Sequence, residues 1–404
     1  MFAMKRAILF LLSLIAMHSA HTQPPVLSND AQISLMTVAP GQELYSTFGH
    51  SAIRVFDPLN SLDRCYNYGT FEFDQPNFYM KFLRGRLRYF LDVEATRAFE
   101  YFNLRQRRPM REQILQLDSL QRQRLFELLS ENARPENKYY QYDFFYDNCA
   151  TRIRDIVQET FFRQIVFDSS SIPRPRTMRQ LLHPCLTEMP WTRFGIDLIL
   201  GQAADRQALA EDYMFLPDYV HDQFAATILP NGQPLVQAER AIPEFPLPQV
   251  AEASPSGLFG KPLWFMILVA LIGLLSMANT RAARIFDTFF WLTLGLAGFL
   301  MAFLWFATDH SATKTNWNLL WAMPTHLLFF WRSRRSEWVD NYFIGAAMLS
   351  ALALLLWKFV PQEMPVEAMP IAALVLVKGL WQRVLARWMR NKDAELADAE
   401  TEAP

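Results

Sequence analysis

Between Leu263 and Leu385 the chain carries five apolar runs: Leu263–Ala278, Phe286–Ala307, Leu319–Trp331, Tyr342–Val360 and Ile371–Leu385. No other feature limits the fold so strongly. A run of roughly 20 apolar residues matches the hydrocarbon thickness of a bilayer, where a chain without water partners must satisfy its own backbone. Some of the runs are shorter than that, which leaves their ends soft. The basic residues fix the orientation. Arg281 and Arg284, then Arg332, Arg334 and Arg335, then Arg383, Arg387 and Arg390 fall on one side. The opposite connections, Thr308–Asn318 and Pro361–Pro370, hold only Lys314. Positive charge stays on the cytoplasmic side, so about five spans are expected, with everything upstream outside.

Upstream the character changes. Lys5 and Arg6 followed by the apolar stretch Ala7–Met17 and the small residues Ser19 and Ala20 read as an export signal over 1–21. Cleavage there and retention as an anchor both fit. Residues 22–245 read as an exported soluble domain. Pro243, Pro246, Pro248, Pro255 and Pro262 mark residues 246–262 as a linker. Residues 263–390 are the expected transmembrane region and 391–404 a cytoplasmic tail. The fold class is thus α+β, followed by an all-α bundle. A net charge of −1 gives nucleic acid no reason to bind. Three cysteines are too few for a disulfide framework and lack zinc spacing. A Cys65–Cys185 bridge stays open, and would leave Cys149 free.

Within the soluble part, Ile33–Val38 and His50–Phe56 read as strands, the second alternating between Ser51, Ile53 and Val55 on one face and His50, Ala52 and Arg54 on the other. Asp57-Pro58 ends it, and Cys65–Phe73 returns as a hairpin that would bring Asn67 beside His50. A helix is expected from about Arg111 to Ala133. Further short helices are expected over Met178–Leu182, Trp191–Leu200 and Asp205–Met214.

The chemistry centres on Tyr146-Asp147-Asn148-Cys149-Ala150-Thr151-Arg152. Asp147 and Asn148 are N-cap residues, and Ile153, Ile156, Val157 and Thr160 follow with helical spacing. Cys149 then lies in the first turn, where unpaired N–H groups and the helix dipole favour a thiolate. A lone cysteine is more often a small buried hydrophobe. Here, however, His50 offers a base and Asn67 a group to hold that base. No Gly-x-Ser-x-Gly, His-Glu-x-x-His or phosphate-binding glycine loop is present, and no cofactor or metal is expected. Asn148, Arg152, His310, Asn316 and Asn318 are the candidates for substrate contact. Arg154 is expected to pair with Asp155, His326 to face a neighbouring span, and His183 and His221 to be surface residues.

The histidine strand precedes the cysteine helix, the reverse of the usual papain-like order. That order resembles circularly permuted NlpC/P60 proteins. More closely, Phe48-Gly49-His50-Ser51-Ala52-Ile53-Arg54, Tyr66-Asn67-Tyr68-Gly69-Thr70-Phe71, Tyr146–Arg152 and Phe194-Gly195-Ile196-Asp197 look like the DUF4105 family. Its membrane-embedded members include the Lnb-type lipoprotein N-acyltransferases. The resemblance implies a permuted papain-like domain outside the inner membrane, with Cys149 as nucleophile and His50 as base. It also implies transfer of an acyl chain from a phospholipid donor to the amine of a diacylglyceryl lipoprotein acceptor. A cell-wall cysteine amidase or peptidase, or a non-catalytic envelope protein, would use the same domain differently.

Overall fold

The computed structural model describes residues 24–72, 74–167, 174–243, 260–328 and 337–381. The expected export signal, most of the linker and the tail lie outside these residues. Seven antiparallel strands form one sheet in the order β6-β4-β3-β2-β1-β5-β7. They are β1 (Gln32–Val38), β2 (His50–Asp57), β3 (Leu62–Thr70), β4 (Arg88–Ala95), β5 (Met110–Leu115), β6 (Tyr139–Gln141) and β7 (Val236–Ile242). Strict alternation sorts the side chains. Ile33, Leu35, Ile53, Val55, Tyr66 and Tyr68 face one way and pack under Leu125, Leu129, Ile153, Val157, Val220 and Phe224. Met36, Val38, Ala52, Cys65 and Met110 face the other way, against Phe99.

The helices of this part are α1 (Phe78–Leu83), α2 (Thr96–Arg105), α3 (Ser119–Asn132), α4 (Cys149–Thr160), α5 (Met178–Leu182), α6 (Pro190–Ile199), α7 (Ala210–Tyr213) and α8 (Pro217–Ala226). One expectation fails here. Residues 110–115 are a strand between β1 and β7, and the helix starts only at Ser119, where Asp118 caps it by accepting from Gln121 N at 2.8 Å. Two open sheet edges outweigh the helical propensity of this Glu/Gln/Leu stretch.

The apolar region begins with α9 (Pro262–Ser276), continues with α10 (Thr280–Phe306) and α11 (Glu337–Leu356), and ends in residues 369–381, helical throughout. Among the described residues two helices, Thr280–Phe306 and Trp338–Leu356, are long and apolar enough to cross a membrane. The 15 residues of α9 reach only about 22 Å. The expected third span is not a continuous helix. It runs as 3₁₀ turns, Trp317–Leu320 and Pro324–Leu328, laid against α10. Gly295 and Gly298 make room for it: a Cβ at Gly298 would lie 2.2 Å from the Ala322 carbonyl oxygen. Irregular backbone at such depth is tolerated because protein covers it. His326 is buried there against Trp291, its Nδ1 2.7 Å from the Tyr342 hydroxyl.

The two parts are docked by backbone and side-chain hydrogen bonds. Gly201 N–H donates to Ala312 O at 2.9 Å, Gln202 N–H to Thr315 O at 3.0 Å, and Gln362 Nε2 to Leu200 O at 3.1 Å. A Cβ at Gly201 would fall 1.9 Å from Lys314 O, so only glycine permits this approach. Beneath it the fully buried Arg179 guanidinium is held by Asp205 at 2.8 Å and Asp197 at 3.4 Å.

Candidate active site

His50 and Cys149 arrive from opposite faces of the sheet. His50 opens β2 on the face that carries Phe99, whereas α4 packs on the other face. They meet because the β2–β3 ladder ends at Ile53↔Tyr66, and the β3–β4 register shifts between Asn67 and Thr70. Such a bulge bends a strand and re-aims its side chains. At its centre Gly69 has φ +88, and a Cβ there would lie 3.3 Å from the Cys149 Cβ and 3.9 Å from His50 Cε1. The missing side chain is the gap through which the cysteine reaches the ring.

The first turn of α4 is pinned by its own cap. Asn148 Oδ1 accepts from Ala150 N at 2.8 Å and Thr151 N at 2.9 Å, while Thr151 Oγ1 accepts from Asn148 N at 2.8 Å. A cap of this kind contributes about 1 kcal/mol. The rest of Asn148 is committed too, since Nδ2 donates to Phe144 O at 2.8 Å and Phe215 O at 2.9 Å. The helix start therefore holds to the aromatic loop before it and to the segment ahead of α8.

His50 Nε2 lies 2.5 Å from Asn67 Oδ1, and Asn67 Nδ2 donates to Glu94 Oε1 at 3.3 Å. Nε2 thus carries the proton toward Asn67, and Nδ1 remains for the thiol, which bonds the ring. Burial opposes charge on both groups. Even so, the imidazole lowers the Cys149 pKa below that of an ordinary thiol, helped by the backbone N–H groups of Ser51 and Ala150 directed at the sulfur. In turn His50 is raised by Cys149 and by Asn67, against burial and the repulsion of Arg108. Each partner moves the other toward its charged form. The N–H of Cys149, first in its helix, has no carbonyl within the helix to bond.

The remaining candidates sit elsewhere or are occupied. Arg152 forms a two-point ion pair with Asp147 at 2.5 and 2.8 Å and stacks on Tyr140 at 3.8 Å. Asn316 and Asn318 are buried and donate to Leu198 O at 2.7 and 3.3 Å, holding the α10 exit loop to α6. His310 Nε2 lies 3.2 Å from Phe82 O, at α1. Arg154 pairs with Asp155 at 2.7 Å, as expected. Two histidines expected at the surface have partners instead. His221 is buried, with Nε2 3.0 Å from Glu239, and His183 lies 3.1 Å from Asp197. Glu239 and Asp197 are distant along the chain and give no local signal, although His221 Nδ1 also lies 2.9 Å from the adjacent Asp222. Cys65 and Cys185 are free thiols rather than a bridge. Sequence reasoning misses Glu94 and the Ser51 N–H, whereas a glycine inside a strand is a readable sign of the bulge.

Set beside known proteins, residues 23–183 match the family model of the Lnb N-terminal periplasmic domain, and residues 257–388 that of the Lnb transmembrane domain. The chain is thus a membrane protein with a periplasmic domain, and the first match contains His50, Asn67 and Cys149. It belongs to the Lnb family, with both domains in one polypeptide. No curated protein and no solved structure matches it.

Proposed function

We propose that the protein is a multi-pass acyltransferase of the bacterial inner membrane, moving an acyl chain from a phospholipid to the N-terminal amine of a diacylglyceryl lipoprotein. The single observation that carries this reading is the hydrogen-bonded run Cys149–His50–Asn67 at a capped helix start, in a domain clamped to apolar helices. A tether alone would need one span; the clamp fits a substrate that resides in the bilayer. The order of histidine before cysteine fits a permuted, NlpC/P60-like arrangement of a papain-type site.

The chemistry follows from the pair. The Cys149 thiolate attacks the ester carbonyl carbon, and the oxygen, now negative, rests on the N–H groups of Cys149 and Ser51. The tetrahedral intermediate collapses with loss of the glycerol oxygen, which takes the proton from His50. A C–S bond has formed and a C–O bond has broken. The lipoprotein amine then attacks the thioester and gives its proton to His50. The C–N bond forms as the C–S bond breaks, and the thiolate–imidazolium pair is restored. Asn67 keeps the ring in the required orientation throughout.

Mass spectrometry of lipoprotein N-termini tests the reading. Cells with the protein should carry N-acylated termini, and cells lacking it, or holding Cys149→Ala, free α-amines. Unchanged N-acylation after removal, in cells with no second enzyme of this activity, ends the proposal.

A further inference from the structure

Helix α1 is six residues long, Phe78-Tyr79-Met80-Lys81-Phe82-Leu83, and none of its residues is fully buried. Tyr79 is 83% exposed, Phe82 55% and Met80 54%, with Leu83 open beside them. Scattered exposed apolar residues are ordinary, but a contiguous set on one short helix marks an interaction surface. Basic residues surround it: Lys81, Arg84, Arg86 and Arg88, against Glu72 and Asp74 just upstream. Arg86 pairs with Asp309 at 2.6 Å, while the other three basic residues form no ion pair among the described residues.

The position of α1 identifies what covers it. Asp309 N–H donates to Arg84 O at 2.9 Å, and His310 lies against Phe82 O and Gly85. Those residues belong to the loop by which α10, the longest apolar helix, leaves the membrane. An apolar face with a basic margin, tied to the exit of a span, meets lipid tails below the phosphates of their headgroups.

An aromatic row leads inward from this face. Phe82 stacks on Phe78 at 6.3 Å, Phe78 on Phe71 at 6.1 Å, Phe71 meets Tyr89 at 5.2 Å, and Tyr89 stacks on Tyr142 at 4.2 Å. Tyr89, Tyr142 and Cys149 pack against the same core cluster. Phe71 itself follows directly on the Asn67–Thr70 bulge, and Tyr142, where the row ends, lies within electrostatic reach of Cys149.

We propose that α1 lies in the outer leaflet of the bilayer and that its aromatic row guides one phospholipid acyl chain to Cys149, with Lys81 and Arg84 holding the phosphate. This rests on the phospholipid-donor reading given above, and the test separates the two. The full chain is placed in phosphatidylethanolamine–phosphatidylglycerol vesicles with the photo-crosslinking residue benzoylphenylalanine at Tyr79 or, as control, at Leu120, an exposed apolar residue on α3. Illumination should give lipid adducts at position 79 and none at 120. In parallel, Tyr79→Asp with Phe82→Asp should slow thioester formation on Cys149 from vesicle lipid by at least about tenfold. Acylation by a water-soluble butyryl ester should stay within about twofold, because the pair at the sulfur is untouched. Absence of lipid adducts at 79, or equal loss with both donors, overturns the placement of α1. If the wild-type thiol takes an acyl group from neither donor, the acyltransferase reading fails instead.

Discussion

Cys65 and Cys149 are the same residue in two adjoining settings, and they behave as different chemical groups. Cys65 lies on β3, fully buried, its sulfur 3.6 Å from the Thr96 hydroxyl, and burial pushes its thiol up to about 12. Cys149 feels burial in the same direction, yet an imidazole and two backbone N–H groups reverse the outcome. Shielding from water alone makes a thiol inert. Shielding beside an imidazole and backbone donors lowers its pKa instead, toward a usable thiolate.

The comparison can be broken or sharpened by experiment, beginning with the largest effect. Cys149→Ala should abolish the hydroxylamine-labile mass gain of the acylated protein, while Cys65→Ala retains it; loss of the adduct in Cys65→Ala would put the chemistry at the wrong sulfur. His50→Ala should lower turnover by about a hundred- to ten-thousand-fold. It should also shift the pH midpoint of Cys149 alkylation by iodoacetamide upward. The sign follows from the pair: the imidazolium lowers the Cys149 pKa, so removing it moves half-reaction to higher pH, toward the behaviour of Cys65. A midpoint that stays put would show that the helix start alone supplies the thiolate. Gly69→Ala forces a side chain into a left-handed backbone and against the Cys149 Cβ. It should cost about 1–3 kcal/mol in thermal or denaturant unfolding and slow alkylation as the sulfur leaves the ring. Smallest is Asn67→Ala, expected to reduce turnover about tenfold with little change in the alkylation midpoint, since Asn67 orients the ring rather than charging the thiol. A loss as deep as that of His50→Ala would make Asn67 more than a positioning residue.

Much of the site is legible in the amino-acid sequence. Asn148 and the spacing of Ile153, Ile156 and Val157 announce a capped helix, because caps and periodicity are local. The hairpin bringing Asn67 to His50 is readable for the same reason. What escapes such reading depends on partners far along the chain. Residues 110–115 become a strand only because β1 and β7 flank them. The third apolar run breaks into turns only because α10 offers glycines to receive it. Glu94 gains its place behind Asn67 through the β3–β4 register, which no local pattern announces.

The contact between Gly201 and Lys314 has a mechanical meaning. Main chain touches main chain there, so at that point of the seam no side chain can swing aside to make room. In the acyl transfer proposed above, such a contact would help to hold the sulfur at one altitude through both halves of the cycle. Donor and acceptor would then take turns rising to a stationary anvil, rather than being visited in succession by a swinging arm.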